Sequence, residues 1–165
     1  DRAVIACMEG TRPLLVEIQA LVGPSPLGMP RRTAIGVDHN RISLLVAVLG
    51  KRLGMELGDQ DIFVNVAGGL KVDEPAADLG IVSAMMSSFL NRPISRDLVV
   101  FGEVGLAGEV RGVSQPELRL NEAVKLGFLH AILPKTSLEG LKSTKSMKVS
   151  GVGSVQDLYE RLFDR

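Results

Sequence analysis

The feature that most constrains this fold is the change of hydrophobic period along the chain. Short runs rich in Val, Ile and Leu alternate with longer runs whose apolar residues recur every three to four positions. Residues 3–8 and 14–22 read as two strands joined across 10–13, where Gly10 and Pro13 mark a turn. Residues 23–30, with three prolines and two glycines, read as a loop, and a short strand is expected over 32–36. Asp38 suits the cap of a helix over 40–53 that Gly54 ends, with Ile42, Leu45, Val46 and Leu49 on its buried face. A strand over 61–67 follows, and Pro75 sits at the first turn of a helix over 76–90. Residues 98–104 and 108–113 read as a hairpin about 105–107. A helix over 116–126, strands over 131–133 and 148–151, and a helix over 154–163 complete the chain. This alternation gives an α/β class: one domain over 1–165, with a mixed β-sheet and packed helices.

Composition fits that reading: 45% of the residues are hydrophobic and 23% charged, enough apolar material for one sizeable core. The first residue is Asp1 and strand character begins at once, so the chain is expected to be a piece excised from a longer polypeptide. No signal peptide or long apolar span is visible and Cys7 is the lone cysteine, which leads us to expect a cytoplasmic protein without a membrane partner. Nineteen basic and nineteen acidic residues cancel, which argues against nonspecific coating of nucleic acid but leaves room for a local patch. Residues 1–54 carry seven Lys/Arg against four acids, whereas residues 55–80 carry one Lys against six. Such asymmetry either solvates two faces of a domain or provides complementary faces in a ring or a basic surface for DNA.

Most common chemical constellations are missing. No Gly-Lys-Ser or Gly-Lys-Thr occurs, so no Walker-type phosphate loop for ATP is present, and one cysteine with two isolated histidines offers no zinc pattern. No metal site and no cofactor are therefore expected in this domain. His39 reads as a local hydrogen-bonding residue beside a helix cap, Cys7 as a small core residue, and Met85 and Met86 as core fillers.

The informative motifs lie between residues 8 and 119. The turn Pro75-Ala76-Ala77-Asp78, then Pro93, Asp97, the Gly102 and Glu103 pair, and Ser114-Gln115-Pro116-Glu117-Leu118-Arg119 resemble, in an ungapped register, the active-site half of the Lon-type serine-lysine peptidases. In that family a Pro-Ser-Ala-Gly turn carries the nucleophile and a Gly-Gly-Leu-Lys-Glu-Lys segment ends in the general base. The resemblance puts Ala76 at the nucleophile position and Arg119 at the base position. A serine-lysine dyad needs a hydroxyl to attack and an amine that releases its proton near neutral pH. Alanine has no nucleophilic atom and guanidinium stays protonated, so neither half is expected to work.

Three flanking motifs narrow the resemblance: Met8-Glu9-Gly10-Thr11-Arg12-Pro13, Arg31-Arg32-Thr33-Ala34-Ile35-Gly36-Val37-Asp38-His39-Asn40-Arg41, and Gly69-Leu70-Lys71-Val72-Asp73-Glu74 running into the altered turn. Together they resemble, over nearly the whole chain, the C-terminal Lon-like domain of the RadA family of bacterial DNA-repair proteins. The resemblance implies a parent in which a zinc-binding segment and a RecA-like ATPase core precede this domain. It also implies a hexameric ring that uses ATP, with Mg and Zn, to process recombination intermediates on DNA.

Three clusters are then candidates. Arg31, Arg32 and Arg41, helped by Lys71 and Arg111, are expected either to contact DNA phosphates or a neighbouring subunit, or, in the case of one Arg, to pin a loop by pairing with Asp38. Lys71, Asp73, Glu74 and Asp78 surround the lost nucleophile and form either a polar network in a relic cleft or solvated loop charges. Arg119 is expected to pair with Asp78 or Glu74 across that cleft. The leading function is a noncatalytic scaffold that supports a homo-oligomeric ring and DNA contact. The alternatives are a peptidase using another nucleophile, such as Ser83 or Ser87, and a peptide-binding cleft without catalysis.

Overall fold

The computed structural model describes residues 1–142 and 146–164. Strands β1 (Arg2–Glu9) and β2 (Arg12–Pro24) form an antiparallel hairpin in which Glu9 faces Arg12. The turn has only Gly10 and Thr11 between the strands, and Gly10 takes φ +61°, the left-handed region that glycine adopts without steric cost. Past β3 (Arg32–Ile35) and helix α1 (His39–Leu53), strand β4 (Gln60–Val66) lies antiparallel along the far half of β2, and β3 runs parallel to β4 at the sheet edge. On the other side of β1 run three parallel strands, β5 (Leu98–Val100), β8 (His130–Pro134) and β9 (Lys148–Val152). The sheet order is β3-β4-β2-β1-β5-β8-β9, a seven-stranded mixed sheet in an α/β fold. Helices α2 (Asp78–Leu90), α3 (Pro116–Lys125) and α4 (Val155–Phe163) complete the regular elements, with a two-stranded ribbon of β6 (Glu103–Val104) and β7 (Val110–Arg111) beside the sheet.

Strand alternation sends neighbouring side chains to opposite faces. Ile5 and Cys7 of β1 join a core shared with α1, α2 and α4, whereas Ala6 joins Val99, Phe101, Leu120 and Ala123 beneath α3. The chain thus encloses its own core on both faces of the sheet. Helix α1 forms as its sequence dictates. Asp38 accepts a hydrogen bond from Asn40 N at 3.0 Å, Gly54 closes the helix at φ +64°, and Lys51 and Arg52 stand in the last turn, where the helix dipole favours cations. Helix α2 differs: it is buried from Asp78 through Ser88, with no polar face. It sits directly on β1, so closely that a Cβ on Gly80 would lie 2.0 Å from Ile5 Cγ2.

The expected hairpin of residues 98–104 with 108–113 forms only in part. The main-sheet strand ends at Val100, and the ribbon begins at Glu103. Between them Phe101 N still donates to Ile132 O, but Gly102 N turns to Ala76 O (2.9 Å) and Gly102 O accepts from Leu79 N (3.0 Å). The backbone is diverted to hold the start of α2. The helix expected over 76–90 is likewise divided into a 3₁₀ turn, Pro75–Ala77, and α2 proper.

Candidate functional site

The Pro75–Ala77 turn carries Ala76, which is buried, and the acids on either side of the turn are each gripped by an arginine from elsewhere in the fold. Glu74 precedes the turn. Its carboxylate accepts from Arg119 on α3, Oε1 from Nη1 and Oε2 from Nη2 at 3.1 Å, and Oε1 also accepts from Met8 N of β1 at 2.8 Å. Arg119 is only 1% exposed. Its remaining donors reach Ala6 O (2.9 Å, from Nη1), Ser114 O (2.8 Å, from Nε) and Ser114 Oγ (3.4 Å, from Nη2). All five N–H groups of the guanidinium are therefore placed, as burial of such a charge requires. The guanidinium also lies 5.8 Å from the Phe101 ring centre.

The local sequence explains how Ser114 serves Arg119. Gln115 adopts φ +54°, and Pro116 starts α3 directly after it. This kink leaves the Ser114 carbonyl outside the helix, facing a residue one turn inside it.

Asp78 follows the turn and is 1% exposed. It receives a two-point contact from Arg41 of α1, Nε to Oδ1 at 2.8 Å and Nη2 to Oδ2, while Val104 N of the ribbon donates to Oδ2 at 3.0 Å. Arg41 Nη2 also donates to Val104 O at 3.1 Å. The hydrogen bond to Asp78 raises the Arg41 pKa above its ordinary value, so this side chain is a permanent cation. Two separate Arg–carboxylate clamps thus tie the turn to β1 and α3 on one side and to α1 and the ribbon on the other.

Between the clamps lies a groove of about 180 Å³ lined by Val37, Asp38, Arg41, Asp73, Glu74 and Asp78, among others. Asp73 and Lys71 are exposed and belong to neither clamp. Asp38 caps α1, and the partner of Arg41 is Asp78 rather than Asp38. Of the two acids expected for Arg119, Glu74 is the one it meets. Arg31 and Arg32 stand at the start of edge strand β3: Arg31 N donates to Asp61 (2.8 Å), and Arg32 Nη1 reaches Ser43 Oγ at 3.4 Å. Lys71 lies beyond the other end of β3, next to Val72, whose N–H donates to Gly36 O. Arg111 is exposed and paired with Glu109 (3.0 Å) and Glu103 (3.6 Å).

Neither alternative serine is poised to attack. Ser83 and Ser87 are buried within α2, and their hydroxyls donate to Leu79 O and Arg92 O, both at 2.6 Å. Cys7 is buried; that burial, with the Glu74 carboxylate adding to it, raises the thiol pKa above its ordinary value. Among the described residues no three His, Cys, Asp or Glu side chains are grouped to hold a metal ion, and no helix is long and apolar enough to cross a membrane.

A family model described as subunit ChlI of Mg-chelatase matches residues 26–137, more than half of the chain and the part that holds both Arg–carboxylate pairs. The chain belongs to that family. It is also similar to curated proteins called DNA repair protein RadA. The RadA of Halalkalibacterium halodurans is 57% identical over 157 residues, that of Bacillus subtilis 53% over 155, and that of Escherichia coli 50% over 155. These alignments take in 95%, 94% and 94% of this chain and 34% of each relative. The chain therefore spans about a third of the length of the curated relatives it matches, and the resemblance to the RadA family is borne out as homology to one region of RadA.

Sequence reasoning overlooked the other contacts of the clamps. Met8 N, Ala6 O, Ser114 and Val104 take part through backbone atoms or a small hydroxyl, and residue types carry no signal for such contacts. The Arg41–Asp78 pair had one signal: a carboxylate in the first turn of an otherwise uncharged helix, which burial obliges to find a cation.

Proposed function

We propose that this chain is a noncatalytic, Lon-like scaffold domain of a RadA-type DNA-repair protein. Its parent would be a DNA-dependent ATPase that processes recombination intermediates, with ATP, Mg and Zn bound outside this region. The observation that carries the reading is the state of Arg119. A general base must release and accept a proton beside the nucleophile. Here the corresponding position holds a guanidinium whose every donor is engaged, and the nucleophile position holds a methyl group. The clamps serve structure: they fix the relation of α1, α2, α3 and β1, as a ring-forming module requires of a rigid subunit.

In this reading the domain supports a homohexameric ring and offers Arg31, Arg32 and Lys71 to DNA phosphates, with Arg41 and Arg111 contributing only as charges already paired. Forked guanidinium groups hold phosphate oxygens without regard to base identity. The test replaces Arg31 and Arg32 by Ala in the full-length protein, verifies by solution mass that hexamers still form, and measures DNA affinity across salt. The reading expects weaker binding on all sequences and a salt slope flattened by roughly one unit per lost contact. Unchanged affinity and slope would remove these arginines from the DNA surface.

A further inference from the structure

We propose that the cavity at the start of strands β5, β8 and β9 binds a small phosphate monoester carried on an apolar or aromatic body, of the size of a nucleoside monophosphate. The cavity measures about 290 Å³ and lies away from the Ala76 turn, between the segment that follows α2, the three strand starts and the last turn of α4. Ligand pockets run from about 300 Å³ upward, so this volume suits one phosphate and one ring system rather than a larger molecule.

The charge arrangement identifies the ligand as an anion. His130, Lys148 and Arg161 line the cavity, and no carboxylate does. His130 and Lys148 are register partners, the first residues of the parallel strands β8 and β9, so their side chains stand next to one another on the same face. An anion seated between them could accept hydrogen bonds from both side chains at once. All three are exposed, and among the described residues none of them is held in an ion pair, so each can turn to a ligand. In a chain whose charges cancel, a cavity lined by three basic side chains and no acid stands apart.

Two hydroxyls extend the donor set. Ser95 Oγ accepts from Asp97 N at 3.3 Å and keeps its own proton to donate, and Ser150 lies two residues beyond Lys148 on the same face. Three basic groups and two hydroxyls outnumber what a carboxylate can accept and match the three terminal oxygens of a phosphate monoester. The floor, Leu98 and Ile132, is buried and apolar, which suits the face of a ring. Arg161 also lines an adjoining groove that contains Asp157, Glu160 and Asp164, so it can turn away from the cavity. Lys148 must therefore be removed together with Arg161 in any test.

The experiment titrates AMP into the isotopically labelled 165-residue chain at low salt and follows backbone amide shifts, with adenosine and inorganic phosphate in parallel. We expect AMP shifts concentrated at Ser95, His130, Lys148 and Ser150, the same residues moved more weakly by phosphate, and affinity for adenosine at least tenfold lower. Lys148→Ala with Arg161→Ala should weaken AMP binding about tenfold or more, since charge-assisted hydrogen bonds carry much of such affinity. Lys51→Ala with Lys125→Ala, the same charge change at two exposed helical sites, should leave it unaltered. A 5′-phosphorylated dinucleotide that binds more tightly than AMP would identify a strand end as the source of the phosphate; weaker binding would identify a free mononucleotide. Shifts spread over the surface cations without favouring this cavity, or equal losses in the two double variants, would overturn the proposal.

Discussion

Arg119→Ala is the most informative single substitution. It removes the guanidinium but leaves the Glu74 carboxylate, the Ala6 carbonyl and the Ser114 carbonyl without their partner. Breaking a buried ion pair by deleting one member costs about 3–5 kcal/mol, chiefly because the surviving charge stays desolvated. Glu74 retains 23% exposure, so water takes up part of that load and the expected loss lies at the lower end, about 3 kcal/mol. With a urea dependence of roughly 2 kcal/mol per molar, the unfolding midpoint should fall by about 1.5 M. Glu74→Gln in the same chain removes the stranded charge. The double variant should therefore lose less than the two singles summed, with a coupling of about 2 kcal/mol. A loss below about 1 kcal/mol for Arg119→Ala, or strict additivity, would refute the view of this pair as a structural clamp.

Arg41→Ala should destabilise to a similar degree because it strands Asp78, which is almost wholly buried, whereas Arg31→Ala should change thermal stability little. Differential scanning calorimetry separates the two, and equal effects would contradict the assignment of Arg41 to the fold. Gly80→Ala should cost about 1–3 kcal/mol despite the better helix propensity of alanine, because its Cβ would meet Ile5; a more stable variant in urea would show that α2 does not sit so closely on β1. Cys7 has a raised native pKa, so the folded state holds its proton more tightly than the unfolded chain. Its contribution is complete below the ordinary thiol value of about 8.5 and is lost as pH rises toward the native value. Cys7→Ala should flatten the alkaline decline in stability, and an unchanged slope would contradict this linkage.

Much of the fold was legible because hydrophobic period and cap chemistry are local. Asp38 and Gly54 bounded α1, Ile42, Leu45, Val46 and Leu49 form its buried face as expected, and Gly10 sits in the turn of the first hairpin. The break at Phe101 and Gly102 had one local signal, the glycine inside a strand-like run over 98–104, but nothing in the run says where the backbone turns. What divides the run is the distant start of α2 capturing Gly102. At the site, the proposed loss of the dyad rests on two residue types, Ala76 and Arg119. The meeting of Arg119 with Glu74 was one of two options, whereas Arg41 read either as a contact to DNA or a neighbouring subunit or as a partner of nearby Asp38, because its actual partner lies 37 positions away. Long-range ion pairs leave complementary charges in a sequence but not their addresses.

The central claim, that the dyad positions now serve structure, is tested most directly by incubating the protein with a fluorogenic peptide mixture and casein and with a serine-directed phosphonate probe, both as it stands and as Ala76→Ser. No cleavage and no labelling of the unaltered protein are expected. No turnover by Ala76→Ser is expected either, because the Arg119 guanidinium has every donor engaged and offers no acceptor for the hydroxyl proton. Cleavage by the unaltered protein that Ser83→Ala or Ser87→Ala abolishes, or turnover restored by Ala76→Ser alone, would contradict it.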